Sequence, residues 1–259
     1  MEKSTYFKLA GVTLVLSVVT SVIMLIPNWN GFNGSTEADQ IDTLLDVMIV
    51  LSSFVFAVVM VALVYGVWRY RAKPGDESDG EPIHGNTRLE IAWTVIPTVI
   101  VLFCAGYSWV ILDDIEAREP DRLEVDVTGQ QFKWTFEYPE EGVTSNELHV
   151  VVNRQAAFEM TGLDVLHSFW VPEWRVKKDL VPGITTDVAA TPDREGSYSL
   201  VCTEYCGAGH ATMRAPVVVE TEEEFADWVA DQEKIAEGDE GLPVIESEFN
   251  KPVEERAGG

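Results

Sequence analysis

The chain of 259 residues carries 43 acidic residues against 18 basic ones, a formal charge of −25, and 46% of it is hydrophobic. Three stretches, Leu9 to Ile26, Val47 to Val67 and Ile91 to Leu112, are apolar and uncharged for about the thickness of a bilayer, which excludes a simple cytosolic enzyme. From Asp113 to the end, 33 acidic residues face 12 basic ones, a net −21 that argues against nucleic acid or an anionic membrane surface as a partner and suits a cationic partner or high-salt surroundings.

Lys3 and Lys8 precede the first apolar stretch, which ends at Pro27. This pattern fits a signal peptide or a true span, and both place Asn28 onward outside. Arg69, Arg71 and Lys73 directly follow the second stretch, so the positive-inside tendency puts the 69–90 connection in the cytoplasm. The third stretch then returns the chain outside, where Asp113 and Asp114 begin the acidic remainder. Lys73 to Pro82 is turn chemistry without apolar periodicity and is expected to be a solvated hairpin connection. Beyond Ala117 come short alternating or β-branched runs: Leu123 to Thr128, Phe132 to Tyr138, Leu148 to Val152, Ala156 to Thr161, Thr185 to Ala190, Ser197 to Val201 and Pro216 to Glu220. About seven such strands predict a small Greek-key sandwich or barrel. Thr221 and Glu224 form a capping-box pattern ahead of Phe225, Trp228 and Val229, which predicts a terminal helix, followed from Gly238 by an acidic tail. The expected organisation is therefore 1–34 as signal peptide or first helix, 35–112 as a transmembrane helical hairpin, 113–220 as an external β domain, and 221–259 as helix and tail.

The chemistry concentrates in Cys202-Thr-Glu204-Tyr-Cys206-Gly-Ala-Gly-His210-Ala-Thr-Met213 and, upstream, in Asp164-Val-Leu-His167. Two thiols, two imidazoles and a thioether point to a soft transition metal, for which thiolate and thioether favour copper. Gly207 and Gly209 let the loop turn so that His210 and Met213 close on the point at which both sulfurs aim. Three alternatives stay open on the residues alone. Cys202 and Cys206 can pair as a disulfide in an oxidising compartment. His167, Cys202, Cys206 and His210 can make a tetrahedral zinc site, though zinc has no use for Met213. Copper-delivery proteins also pair cysteines with a histidine, but on a thioredoxin-like fold with the histidine last. His84 and His149 have no partners at ligand spacing and are read as incidental.

Taken with Lys178-Asp179-Leu-Val-Pro182-Gly183, these motifs resemble, in order and spacing, subunit II of the haem-copper cytochrome c oxidases, from about Asp46 to Val229. The resemblance implies an all-β cupredoxin-like domain behind a helical hairpin, with a third, N-terminal helix if the first stretch is retained. It implies a dinuclear copper centre, CuA, bridged by Cys202 and Cys206. His167 and His210 would each cap one copper, with Met213 and the Glu204 backbone carbonyl as weak axial ligands. It implies magnesium at the Glu204 carboxylate, shared with subunit I. Glu90, in Glu90-Ile-Ala-Trp93, would sit at the mouth of the proton path called the K channel, against the plainer reading that it marks the membrane boundary or caps the helix. The usual aromatic run Gly-His-Gln-Trp-Tyr-Trp is here Gly129-Gln130-Gln131-Phe132-Lys133-Trp134, so the residue at the electron-entry position is Phe132, with Trp134 behind it. For Trp134 and Phe136 the plainer reading is core packing.

The implied partners are subunit I, which would hold the haems, other oxidase subunits, cytochrome c or another external donor, and the cell membrane, with the C-terminal domain on the extracytoplasmic side. A quinol oxidase subunit usually lacks these ligands, and nitrous oxide reductase lacks the hairpin. The non-enzymatic rival is a membrane-tethered copper carrier or a zinc-stabilised module.

Overall fold

The structure, a computed structural model, describes residues 3–236 apart from Asn28, Lys73, Glu77, Ser78, Glu81 and Ile83. The acidic tail beyond Gly238 and Lys73 of the basic cluster lie outside the described residues. Helix α1 spans Lys3–Leu25, α2 Thr36–Tyr70 and α3 Thr87–Ile115. At 1.5 Å per residue, 23 residues rise about 34 Å and 35 about 52 Å, against a hydrocarbon core of about 30 Å. All three are long and apolar enough to cross a membrane, and at most 11% of any apolar window is buried within the chain. Side chains such as Leu14, Val64 and Leu102 are therefore uncovered by the rest of the chain, as the lipid-facing surface of a spanning helix would be. Asn86 begins α3 by accepting the Leu89 N–H on its Oδ1 at 3.2 Å, while Glu90 Oε1 accepts the Asn86 N–H at 3.0 Å. Pro97 lies inside α3 and withholds one helical donor.

The chain divides into two compact units. The first comprises Met1–Trp29 and Asp42–Leu112, and the second Asn30–Ile41 with Asp113–Gly259. The second unit holds ten strands among the described residues: β1 Leu123–Gln130, β2 Lys133–Tyr138, β3 Val143–Ser145, β4 Leu148–Val151, β5 Ala156–Gly162, β6 His167–Val171, β7 Val176–Leu180, β8 Thr186–Ala190, β9 Gly196–Cys202 and β10 Arg214–Glu220. They form two five-stranded sheets, ordered β3-β2-β1-β5-β8 and β4-β10-β9-β6-β7, around one core. Period-two alternation builds that core. Leu123, Val125 and Val127 of β1, and Trp134, Phe136 and Tyr138 of β2, point inward from the first sheet; Tyr198 and Leu200 of β9, and Ala215, Val217 and Val219 of β10, point inward from the second.

The expectation of about seven strands missed β3, β6 and β7. Four of the five β6 residues are buried, including Ser168, so no alternation shows, and β7 carries Lys177, Lys178 and Asp179. The two pair as a hairpin around a one-turn 3₁₀ segment, Pro172–Trp174, whose closing residue Arg175 sits at φ 59.

Helix α4, Glu222–Ala236, starts on the expected capping box. Glu224 Oε2 accepts the Thr221 N–H at 2.9 Å, and Thr221 Oγ1 accepts the Glu224 N–H at 3.3 Å. Phe225 and Trp228 bring the helix onto Tyr138. His149 corrects the sequence reading, because it is a buried anchor of this helix. Its ring stacks on Trp228 at 4.1 Å and 10°, and its Nδ1 lies 2.9 Å from Glu220 Oε1.

The segment Asn30–Ile41 also belongs to this unit through specific bonds. The Gly34 N–H donates to the Glu173 carbonyl, Ser35 Oγ to the Trp174 carbonyl at 3.1 Å, and the Thr191 N–H to both Glu37 carboxylate oxygens at 3.0 and 2.9 Å. Glu37 is only 5% exposed, so the Thr191 amide meets a buried carboxylate there instead of water.

Candidate metal centre

Three of the expected donors reach one point because strand phase carries them there. Cys202 follows Tyr198 and Leu200 on the inward face of β9, His167 shares the inward face of β6 with Phe169 and Val171, and Met213 precedes Ala215, Val217 and Val219 in step with β10. Because β10, β9 and β6 are neighbours in one sheet, the three side chains converge at the same end of the core. The loop 203–212 supplies Cys206 and His210, with a 3₁₀ turn at His210–Thr212.

The donor atoms are close-set. Cys202 Sγ lies 3.9 Å from Cys206 Sγ, 3.9 Å from His167 Nδ1 and 3.4 Å from the Glu204 carbonyl oxygen. Cys206 Sγ lies 3.7 Å from both His210 Nδ1 and Met213 Sδ. The cysteines are free thiols, and 3.9 Å is nearly double a sulfur–sulfur bond of about 2.05 Å. Each sulfur has its own imidazole and its own weak donor, the Glu204 carbonyl on one side and the Met213 thioether on the other. That symmetry fits two soft cations bridged by two thiolates, whereas one tetrahedral zinc would leave Met213 and the carbonyl unused. Burial first, and then the adjacent Cys202 sulfur, push the Cys206 thiol up to about 11, so this thiol ionises readily only against added positive charge.

The ligand rings are held from behind. His167, fully buried, turns Nε2 to Asp164 Oδ1 at 2.9 Å, which fixes the ring so that Nδ1 faces the sulfurs. Burial works against that carboxylate, but donation from the Gln131 and Val165 amides and from His167 outweighs it and holds Asp164 down near about 2. The Trp134 ring packs edge-on to His167 at 6.1 Å and is 1% exposed, in line with the core-packing reading. Phe132 is 39% exposed and lies against the loop: a Cβ built on Gly209 would fall 2.5 Å from its ring. Glycine at 209 is therefore needed for this close approach, while its backbone at φ −92 would admit any residue. The Glu204 side chain and Tyr205 are exposed, and the Tyr205 ring meets His210 edge-on at 5.7 Å. Glu90 is not part of this constellation; its carboxylate caps α3.

The structure brings together the donor candidates that the sequence suggests and adds support that spacing does not show. In the sequence Asp164 stands out only as part of a motif, and nothing there marks the side chain of Gln131, which donates to the Cys206 carbonyl at 2.6 Å.

Comparison with known proteins agrees with this geometry. Residues 31–111 match the family model described as cytochrome c oxidase subunit II, transmembrane domain, and residues 142–222 match that of its periplasmic domain. A protein named cytochrome c oxidase subunit 2 from Thermostichus vulcanus is 32% identical over 90% of this chain and 88% of its own length. One of the same name from Synechocystis sp. is 32% identical over 85% and 81%. A protein named quinol oxidase subunit 2 from Bacillus cereus is 31% identical over 78% of this chain and 70% of its own length. Apolar helices, a cupredoxin-like β sandwich and a His/Cys cluster compatible with copper thus go with a subunit of a respiratory oxidase, and the chain belongs to the cytochrome c oxidase subunit II family.

Proposed function

We propose that this chain is the electron-entry subunit of a cytochrome c oxidase, taking electrons from an external donor and passing them to the haem of subunit I, where oxygen is reduced to water with proton translocation. The observation that carries this reading is the convergence of six donors at one end of the sandwich: the Cys202 and Cys206 sulfurs lie 3.9 Å apart, and His167, the Glu204 carbonyl, His210 and Met213 each lie 3.4 to 3.9 Å from one of them. These residues would hold two copper ions, whose shared valence supplies a one-electron relay with small bond-length changes. The protein's part is rigidity. His167 is locked by Asp164, Cys202 and Met213 sit in strand phase with the core, and Phe132 lies on the loop glycines, so little backbone can move when charge changes.

Phe132, exposed and in contact with the loop, is the entry residue in this reading, and Trp134 behind His167 stiffens it. The exposed carboxylate of Glu204 is free to share magnesium with subunit I. Glu90 would stand at the proton-path mouth at the cytoplasmic start of α3. Residues 35–112 form the hairpin in the cell membrane, and 113–220 form the external domain.

The competing reading is a quinol oxidase subunit, because relatives of that name match comparably well. The complete donor set favours the copper reading, since a subunit that takes no electrons at copper has no need of two thiols, two imidazoles and a thioether around one point. Purification of the native complex tests both. Two coppers per chain, a mixed-valence electron paramagnetic resonance spectrum and oxidation of reduced cytochrome c are expected. A single zinc, or quinol oxidation with a copper-free chain, overturns the proposal. Reporter fusions after Lys73 should read as cytoplasmic and fusions after Glu119 as external.

A further inference from the structure

Gln131 occupies the two-residue turn between β1 and β2, at the surface, and belongs to neither ligand-bearing segment. It nevertheless touches both. Its backbone N–H donates to Asp164 Oδ2 at 2.8 Å, and the other oxygen of that carboxylate, Oδ1, holds His167 Nε2 at 2.9 Å and accepts the Val165 N–H at 2.7 Å. Its side-chain Nε2 donates to the Cys206 carbonyl oxygen at 2.6 Å. A single residue thus links the carboxylate that orients one imidazole to the peptide that follows one thiol, and these lie in segments otherwise 35 or more residues apart.

The next residue shows that this approach is built in. Gly207 has φ +134, a conformation L side chains rarely adopt, and a Cβ there would lie 2.9 Å from Gln131 Nε2 and 3.1 Å from the Phe132 ring. The glycine therefore admits both side chains of the turn onto the Cys206–Gly207 peptide. Rotation of that peptide would break the bond to Gln131 and carry Cys206 Sγ away from Cys202, His210 and Met213 together.

From this geometry we propose that Gln131 is a positioning residue for the metal centre: its amide fixes the Cys206 peptide while its main chain fixes the Asp164–His167 pair, so that the two ligand segments keep one spacing. The inference rests on the copper reading above. Gln131 would touch no metal and carry no electron. Its effect is on the distance between Cys206 Sγ and His167 Nδ1 and on how far that distance relaxes when charge changes.

The test is Gln131→Met in the full chain within the native oxidase, which keeps the N–H to Asp164 and removes only the side-chain donor. Gln131→Glu is the second variant, of the same shape but presenting a carboxylate to a carbonyl. Removal of a partner behind a ligand typically weakens metal retention ten- to a hundredfold, and the indirect role assigned here places Gln131→Met at roughly tenfold faster copper loss to a chelator. The mixed-valence resonance should persist with altered copper hyperfine splitting and a shifted reduction potential, both larger for Gln131→Glu, while the melting transition of the copper-free chain stays in place because no core contact is lost. A wild-type complex with no two-copper spectrum would defeat the copper reading itself. A normal wild type beside a Gln131→Met variant with unchanged hyperfine splitting, potential and chelator resistance would overturn this inference alone.

Discussion

The β domain contains two buried histidines, each with a carboxylate 2.9 Å from one ring nitrogen, yet the structure gives them opposite roles. His167 pairs Nε2 with Asp164 and turns Nδ1 toward Cys202 Sγ at 3.9 Å. His149 pairs Nδ1 with Glu220, has Glu147 3.9 Å from Nε2, and lies flat on Trp228 of α4. Strand β10 connects the two regions, running from Arg214 beside the metal loop to Glu220 beside His149, a rise of about 20 Å over seven residues. The lesson concerns the second nitrogen. Where it meets soft sulfur the ring is free to bind a cation, and where it meets another carboxylate the surroundings favour the ring's own charged form. Burial works against charge on His149, but the hydrogen bonds and charges of Glu147 and Glu220 outweigh it and raise the pKa above the ordinary histidine value.

The comparison breaks most completely at the sulfurs. Cys206→Ser or Cys202→Ser should abolish the two-copper spectrum entirely, because each sulfur faces donors on both sides, while α4 stays docked. A full wild-type copper spectrum in Cys206→Ser would remove the ligand assignment.

At the other region, His149→Ala should leave the copper spectrum intact and lower stability by about 2 kcal/mol, since it strands Glu220 and uncovers one face of Trp228. A thermal melt read by tryptophan fluorescence checks this, and an unchanged melt would make the clasp ornamental.

A smaller effect is expected from pH. The groups facing His149 are Glu147, Glu220 on β10, Trp228 on α4 and the Tyr138 hydroxyl on β2, which donates to the His149 carbonyl at 2.9 Å. Because the folded pKa lies above the unfolded value of about 6.5, the stabilisation is complete below that pH and is lost as pH rises through the folded pKa. Docking of α4, followed by Trp228 fluorescence, should therefore loosen on the alkaline side in the wild type, and His149→Gln should flatten that slope.

The smallest effect concerns donor docking. With a basic cytochrome c, electron entry should slow as salt rises, since exposed charges are screened beyond about 8 Å at physiological ionic strength. Phe132→Trp should change the entry rate without altering the copper spectrum. A rate flat in salt and indifferent to this substitution would move the entry point away from Phe132.

The candidate donors were legible in the sequence because five of the six lie within the twelve residues from Cys202 to Met213, where spacing alone constrains geometry. What made the site rigid was not legible. Asp164 and Gln131, 33 residues apart in sequence, are ordinary polar residues until the fold brings the Gln131 N–H to 2.8 Å from the Asp164 carboxylate. His149 looked incidental because its partners, Glu220 and Trp228, come 71 and 79 residues later. Strand β6 was hidden for a different reason: a strand buried on both faces loses the alternation by which strands are recognised.

The bonds from Asn30–Ile41 bear on how the β domain can be isolated for spectroscopy. A fragment cut at Asp113 would look complete by strand count, yet it would leave the Thr191 amide, the Trp174 carbonyl and the Glu173 carbonyl without the partners that Glu37, Ser35 and Gly34 provide. Trp174 is fully buried and sits between Phe158 and Tyr198, so fraying there would reach the aromatic core. A soluble form of this domain is better made by splicing residues 30–41 back through a short flexible linker, so that the excised domain carries its own strap.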